Sequence, residues 1–259
     1  MLETNDAFSL EENEAIIRLQ AIAAAFDKSK NTKKMTTASP LAQGKKLIAT
    51  KGQNMTTGYY TTNVSCSLHE LHAYIEAEDT TSNYIEKIVD EAYNDHHSIN
   101  FYAMSLPKPV HDREFHTSVI TKVEAEKVVI VSVPCFIEEK ERDVHPDRVR
   151  AETRSLTLLT IISASETRLD YYAEFGFGGY IPRWVINREL PKIMSAPTKS
   201  QEHFQHQRKL NQLTVEDGKN MGTMLMIKKK GESRGKAVGG VLVQERGAPA
   251  IKNHNFPPT

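Results

Sequence analysis

Apolar residues at Leu10, Ile16, Leu19, Ile22, Ala23 and Phe26 recur at the spacing of one helix face, and Ser9 with Glu12 three positions later reads as a capping box before them. Helix is therefore predicted over about residues 10–26. Residues 27–46 (DKSKNTKKMTTASPLAQGKK) are polar, carry Pro40 and Gly44 and show no period, so a linker or loop is expected there. From Leu47 to Val64, short β-type pieces are separated by Gly52 and Gly58, which fits two or three strands of open register. Ser67 with Glu70 is a second capping pair, opening a helix that carries Leu68, Leu71, Tyr74 and Ile75 on one face.

Beyond this helix the period changes to two. Strand-like runs follow at Ile85–Tyr93, Ser98–Leu106, Glu114–Val123, Lys127–Pro134, Arg150–Ser163 and Thr167–Phe177. Joins this short exclude parallel neighbours, which need a crossover of a dozen or more residues, so the sheet is expected to be antiparallel. In the last run Leu169, Tyr171, Ala173 and Phe175 alternate with Arg168, Asp170, Tyr172 and Glu174, giving one dry face and one wet face. The dry face needs a cover. Pro182, at a helix start, and the helix-compatible stretch from Arg183 to Lys209 supply it, with Ile186, Leu190, Ile193 and Met194 as an apolar stripe. Pro191 is expected to kink that helix, or Pro197 to end its apolar half.

This divides the chain into an N-terminal helix and linker at 1–46, a folded domain at 47–210, and a Gly/Lys-rich basic segment at 211–259, read as a flexible tail or the start of a further segment. Composition narrows the function classes. The 33 Lys and Arg balance 33 Asp and Glu, which disfavours a general nucleic-acid or membrane-surface binder. No run approaches the roughly 20 apolar residues of a membrane span, and the acidic N-terminus is unlike a secretory signal, so a cytoplasmic protein is expected. Cys66 and Cys135 are expected to be reduced, and the sequons at Asn54 and Asn63 unused. His69-x-x-His72 is not the His-Glu-x-x-His spacing of a zinc site, His96-His97 falls in a turn, and Gly-Phe-Gly-Gly at 176–179 lacks the lysine of a phosphate loop. No cofactor, no metal and no catalytic residues are expected.

Four stretches carry a resemblance to a known family. SLPKPVHDREF (105–115) is similar to an apolar strand, Pro-containing loop and Arg-Asp/Glu-Phe step. HPDRVRAE (145–152) is similar to a Val-Arg-Ala strand start. TRLDYYAEFGFGGYIPRWVINREL (167–190) is similar to a final strand, glycine turn and Ile-Pro helix start. NVSCSLHELHAYI (63–75) is similar to an early strand and helix. In this order they resemble the StAR-related lipid-transfer (START) domain over about residues 8–209. The resemblance implies an α+β helix-grip fold, in which a curved antiparallel sheet wraps a long C-terminal helix around a lipid-sized cavity. Members associated with sterol or phosphocholine headgroups often carry a basic residue six positions past the Arg of that step. That position here is Val119.

The implied function is binding of a single lipid in an internal cavity, with transfer between membranes by a monomer that touches them transiently. Sterol, phospholipid and sphingolipid are not resolved. Candidate lining residues are Phe101, Phe115, Val129, Val131, Tyr171, Phe175, Trp184, Ile186 and Leu190, with strand register deciding which alternate set faces inward. Arg113, beside Asp112 and Glu114, either meets a headgroup or orients the strand end through a salt bridge, and Arg150 and Glu152 share a face and can pair. Two other classes stay open: a lipid-sensing module of a larger signalling protein, and a cyclase- or hydrolase-like enzyme using the same cavity. The loop at 105–112 sits where the family has its lid.

Overall fold

The computed structural model describes residues 8–36, 42–47, 55–77, 84–135, 145, 147–195 and 197–210. Residues through Lys209 form one compact unit, and the segment at 211–259 lies outside the described residues. Helix α1 spans Leu10–Lys28. Its capping box is formed: Glu12 N–H donates to Ser9 Oγ at 3.1 Å and Ser9 N–H donates to Glu12 Oε2 at 2.7 Å.

Two strands, β1 (Lys33–Met35) and β2 (Gln43–Leu47), occupy part of the stretch expected to be loop. Both are short and end the sheet, and among the described residues there only Met35, Ala42 and Gly44 are buried, so little apolar period is available to read. Strand β3 (Met55–Val64) is continuous through Gly58, in place of the shorter pieces expected on its side of residue 55; residues 48–54 are outside the described set. Helix α2 spans Leu68–Ala77, capped by Glu70 N–H on Ser67 Oγ at 3.3 Å. Strands β4 (Tyr84–Asn94), β5 (His97–Met104), β6 (Asp112–Val123), β7 (Lys127–Pro134), β8 (Arg148–Ser163) and β9 (Glu166–Gly176) follow the predicted runs to within two residues.

Among the described residues the sheet has the order β1-β2-β3-β9-β8-β7-β6-β5-β4. Its pairs are antiparallel with one exception. The start of β8 runs past the end of β7 and pairs with β6 in parallel, Asp112 to Phe115 against Arg148 to Ala151. Two strands that are each antiparallel to β7 must be parallel to one another, so this closure follows from the meander itself.

Helix α3 spans Arg183–Met194, and a second segment, α4, covers 197–210. The single helix expected over 183–209 is thus two. Pro191 lies inside α3 without ending it; the helix ends at Met194 with Ser195 as its C-cap, and Pro197 fits the first position of the following helical segment.

Register assigns the two faces. Tyr60 pairs with Tyr171 and Gly58 with Ala173, on the side that α3 covers; Tyr59 pairs with Tyr172 on the other. That second face was expected to be wet. Instead α1 lies over it, burying Ile16, Leu19, Ala23 and Phe26 against Tyr59, Ile120, Val129, Val131, Leu156 and Tyr172. The polar residues at 168, 170 and 174 hid this cover in the sequence, since their alternation with Tyr172 reads as solvent-facing.

Candidate functional site

The site is built where α3 meets the sheet. Alternation puts Tyr102 and Met104 of β5, Phe115 of β6, Ala151 of β8, Ala173 and Phe175 of β9 and Tyr60 of β3 on one surface, and Leu190, Ile193 and Met194 of α3 complete the cluster. Tyr102 and Phe115 stack with centroids 4.8 Å apart, as do Phe175 and Phe177 at 5.6 Å. Ile186 and Tyr171 pack against the cluster, half-buried. Helix α2 covers the far end of the same surface, with Leu71 against Val64, Val128, Leu159 and Leu169, and Phe204 of α4 joins it.

The turn from β9 into α3 depends on one glycine. Gly178 has φ +63°, and a Cβ there would stand 2.3 Å from the Arg150 carbonyl oxygen, so no other residue fits. Arg113 holds this turn. Its guanidinium donates to the carbonyl oxygens of Phe177 and His111, and at 3.3 Å to that of Gly178. Burial holds the Arg113 pKa below its ordinary value against the opposing pull of Asp112, without threatening its charge. Among the described residues Arg113 makes no salt bridge; it clamps backbone. Arg150 pairs with Glu114 across the sheet at 3.5 Å rather than with Glu152.

The loop before Arg113 is pinned at both ends: Leu106 N–H donates to Asp112 Oδ1 at 3.1 Å and Val110 N–H to the Pro107 carbonyl at 3.1 Å, with a cis bond between Lys108 and Pro109. Leu106 is buried and Val110 packs on the α3 cluster, so the loop closes one edge of this surface. On α3, Glu189 is buried yet its carboxyl sits below the usual range: desolvation raises it, but Lys192 and Arg188 outweigh that.

Of the residues singled out in the sequence, the structure brings Phe115, Tyr171, Phe175, Ile186 and Leu190 together. Phe101, Val129 and Val131 are on the opposite face. Phe101 pairs with His116 and meets its ring at 5.0 Å, while Val129 and Val131 lie under α1, so no ligand below α3 touches them. A one-residue choice of parity decides this. Trp184 stands at the start of α3, 52% exposed, with the Arg188 guanidinium 5.2 Å from its ring centroid. Tyr60, Tyr102 and Met104 also belong to this cluster without having been singled out, and Ile193 and Met194 join it from the apolar stripe of the helix; for Tyr102 the alternation with Phe101 is the available signal. Val119, six residues past Arg113, falls on the α3 side by the same alternation.

Neither a family model nor a curated protein matches the sequence. Solved structures do. Human StAR-related lipid transfer protein 5 superposes with a TM-score of 0.61 at 13% identity, covering 76% of this chain and 99% of its own. Human STARD10 gives 0.58 at 15% identity, covering 74% and 81%, and the human StarD13 (DLC2) lipid transfer and protein localization domain gives 0.55 at 15%, covering 72% and 96%. The fold is that of a START domain. In START terms, α3 and α4 make the gripped C-terminal arm, β5 to β9 with β3 the gripping sheet, and α1 the helix on its outer side. The helix-grip architecture implied by the sequence resemblance is thus present. Among the described residues no helix is long and apolar enough to cross a membrane.

Proposed function

We propose that this chain binds one lipid, or a similar hydrophobic molecule, between α3 and the inner face of the sheet and carries it between membranes. The observation that carries the reading is the START fold with its apolar sheet surface of Tyr102, Phe115, Tyr171 and Phe175 facing Ile186 and Leu190 of α3. At about 0.8 kcal/mol per buried CH₂, a chain of roughly sixteen carbons gains on the order of 12 kcal/mol gross before the costs of ordering. That is enough to draw a lipid out of a bilayer. The polar end has candidate partners. Ser200 Oγ and Gln201 Oε1, at the start of α4, are buried without a hydrogen-bond partner among the described residues, and such groups ordinarily find one.

The reading is of a binding protein, not an enzyme. The half-exposed Trp184 and the 88% exposed Tyr180, both beside the α3 start, suit transient contact with a bilayer surface, where rings with a polar tip are favoured. In this reading the loop at 105–111 and α3 part at the membrane to admit the lipid, and the protein works as a monomer in the cytoplasm. Solvent extraction of the purified protein followed by mass spectrometry identifies the bound molecule. Exchange between donor and acceptor vesicles then separates carriage, which accelerates exchange, from sensing, which gives binding without exchange. Absence of any co-purifying or exchangeable lipid overturns the reading.

A further inference from the structure

A pocket lies on the α1 side of the sheet, between α1 and strands β3, β8 and β9, with a volume of about 320 Å³. It has no part in the lipid reading above. Its origin is legible in α1: between the buried Leu19 and Phe26 the helix presents Ala23 to the sheet, flanked by Ala24, so no large side chain fills the space over Leu156, Leu158 and Tyr172. The size falls at the lower end of small-molecule sites, and the walls are apolar and partly aromatic.

The polar groups gather on a few atoms. Asp170, buried on β9, accepts from the Tyr59 hydroxyl at 2.7 Å and from Arg168 Nη2 at 2.9 Å, with Arg168 Nε 2.8 Å from its other oxygen. Burial, then Asp170, raises the Tyr59 pKa, so its hydroxyl stays a donor, and Asp170 in turn keeps Arg168 charged. Asp27, on the α1 side, is held by Lys45 of β2 at 2.6 Å. Both carboxylates are thus neutralised. Arg168 keeps Nη1 for another acceptor, and Lys28, on the same lining, has no carboxylate partner among the described residues. On the lining Arg168 and Lys28 stand with Asp27 and Asp170, and because Lys45, outside the lining, holds Asp27, the charge of Lys28 is left over among the described residues.

We propose that this pocket binds a small aromatic carboxylate, its flat body against Ala23, Ala24, Leu156, Leu158 and Tyr172 and its acid on Arg168 and Lys28. The Tyr59–Asp170–Arg168 network is formed in the free protein, so the cation is already oriented and binding orders little. A cation finds both acids engaged, and a neutral molecule gains only the walls.

The test uses 2-naphthoate and its uncharged analogue 2-naphthamide, followed by calorimetry and by NMR of the alanine methyl groups of the full chain. Naphthoate is expected to shift Ala23 and Ala24, with the amide about tenfold weaker for lack of the charge-assisted bond. Ala24→Trp fills the space from a helix position outside the polar network and is expected to abolish binding while lipid bound under α3 is retained. Arg168→Met is expected to bring naphthoate down to the affinity of the amide, and Arg168→Lys to keep part of the preference. Acid and amide binding within about threefold of each other, shifts confined to residues under α3, or undiminished binding in Ala24→Trp each overturn the proposal.

Discussion

Met194 of α3 sits directly on Gly58 of β3: a Cβ at position 58 would lie 2.7 Å from both Cγ and Sδ of the methionine. The helix reaches the sheet there because the strand has no side chain. Gly58→Ala forces the thioether aside, and Gly58→Val adds further bulk against it, at about 1–3 kcal/mol of overpacking. Chemical denaturation is expected to show the valine variant clearly destabilised. Met194→Ala combined with Gly58→Ala should cost less than the two changes added separately, a coupling that a double-mutant cycle reads directly.

Arg113 joins β6 to the first residues after β9 through carbonyl acceptors alone. Arg113→Met leaves those buried oxygens without a donor and is expected to cost about 2–3 kcal/mol. Arg113→Lys should not restore it, since an ammonium cannot present Nε, Nη1 and Nη2 in a fixed plane. Thermal unfolding measures the loss, and amide exchange at 177–182 should rise in both variants as the helix start comes free.

Register separates lipid contact from core packing. Phe115→Trp and Phe175→Trp add bulk on the α3 face and are expected to lower the amount of co-purified lipid. Val131→Ala, on the α1 face, loses two methyl groups and roughly 2 kcal/mol of stability with lipid content unchanged. Loss of lipid in the Val131 variant at a temperature where it is fully folded would contradict the assignment of faces.

Membrane contact has its own readout. Tyr180→Ala with Trp184→Ala removes exposed aromatic area without touching the inner face, so vesicle exchange should slow several-fold while bound lipid stays at the level of the parent protein.

Glu12 ties α1 to the β4–β5 hairpin, with Oε1 2.7 Å from His97 Nδ1 and Oε2 3.5 Å from His96 Nε2. Desolvation pushes its carboxyl up, but the Ser9 amide and hydroxyl and His97 outweigh this and hold it below the ordinary range. A carboxyl depressed in the folded chain stabilises the fold above its unfolded value, near 4.3, and that contribution is lost as the pH falls through the lower folded value. Unfolding curves collected from pH 6 down to pH 3 should therefore show a steeper decline for the parent protein than for Glu12→Gln, which has no such carboxyl to protonate.

Much of this was readable along the chain. Capping boxes at Ser9 and Ser67 marked both early helices, the two-residue period fixed six strands to within two residues, and Pro182 with Gly178 marked where strand becomes helix, because each of these signals is local: a cap, a pleat or a backbone angle acts over a few residues. What tertiary structure alone decided was which alternate set of side chains faces which helix. Phe101 and Tyr102 are adjacent aromatic residues, and only pairing with His116 and Phe115 sends one to the face away from α3 and the other under α3. The same holds for Arg113, whose partners include carbonyls 64 and 65 residues away, and for the hollow beneath Ala23 and Ala24, which exists because α1 crosses three strands distant from it in sequence at two small residues. Contacts made by distant segments leave no period, so no reading of spacing contains them.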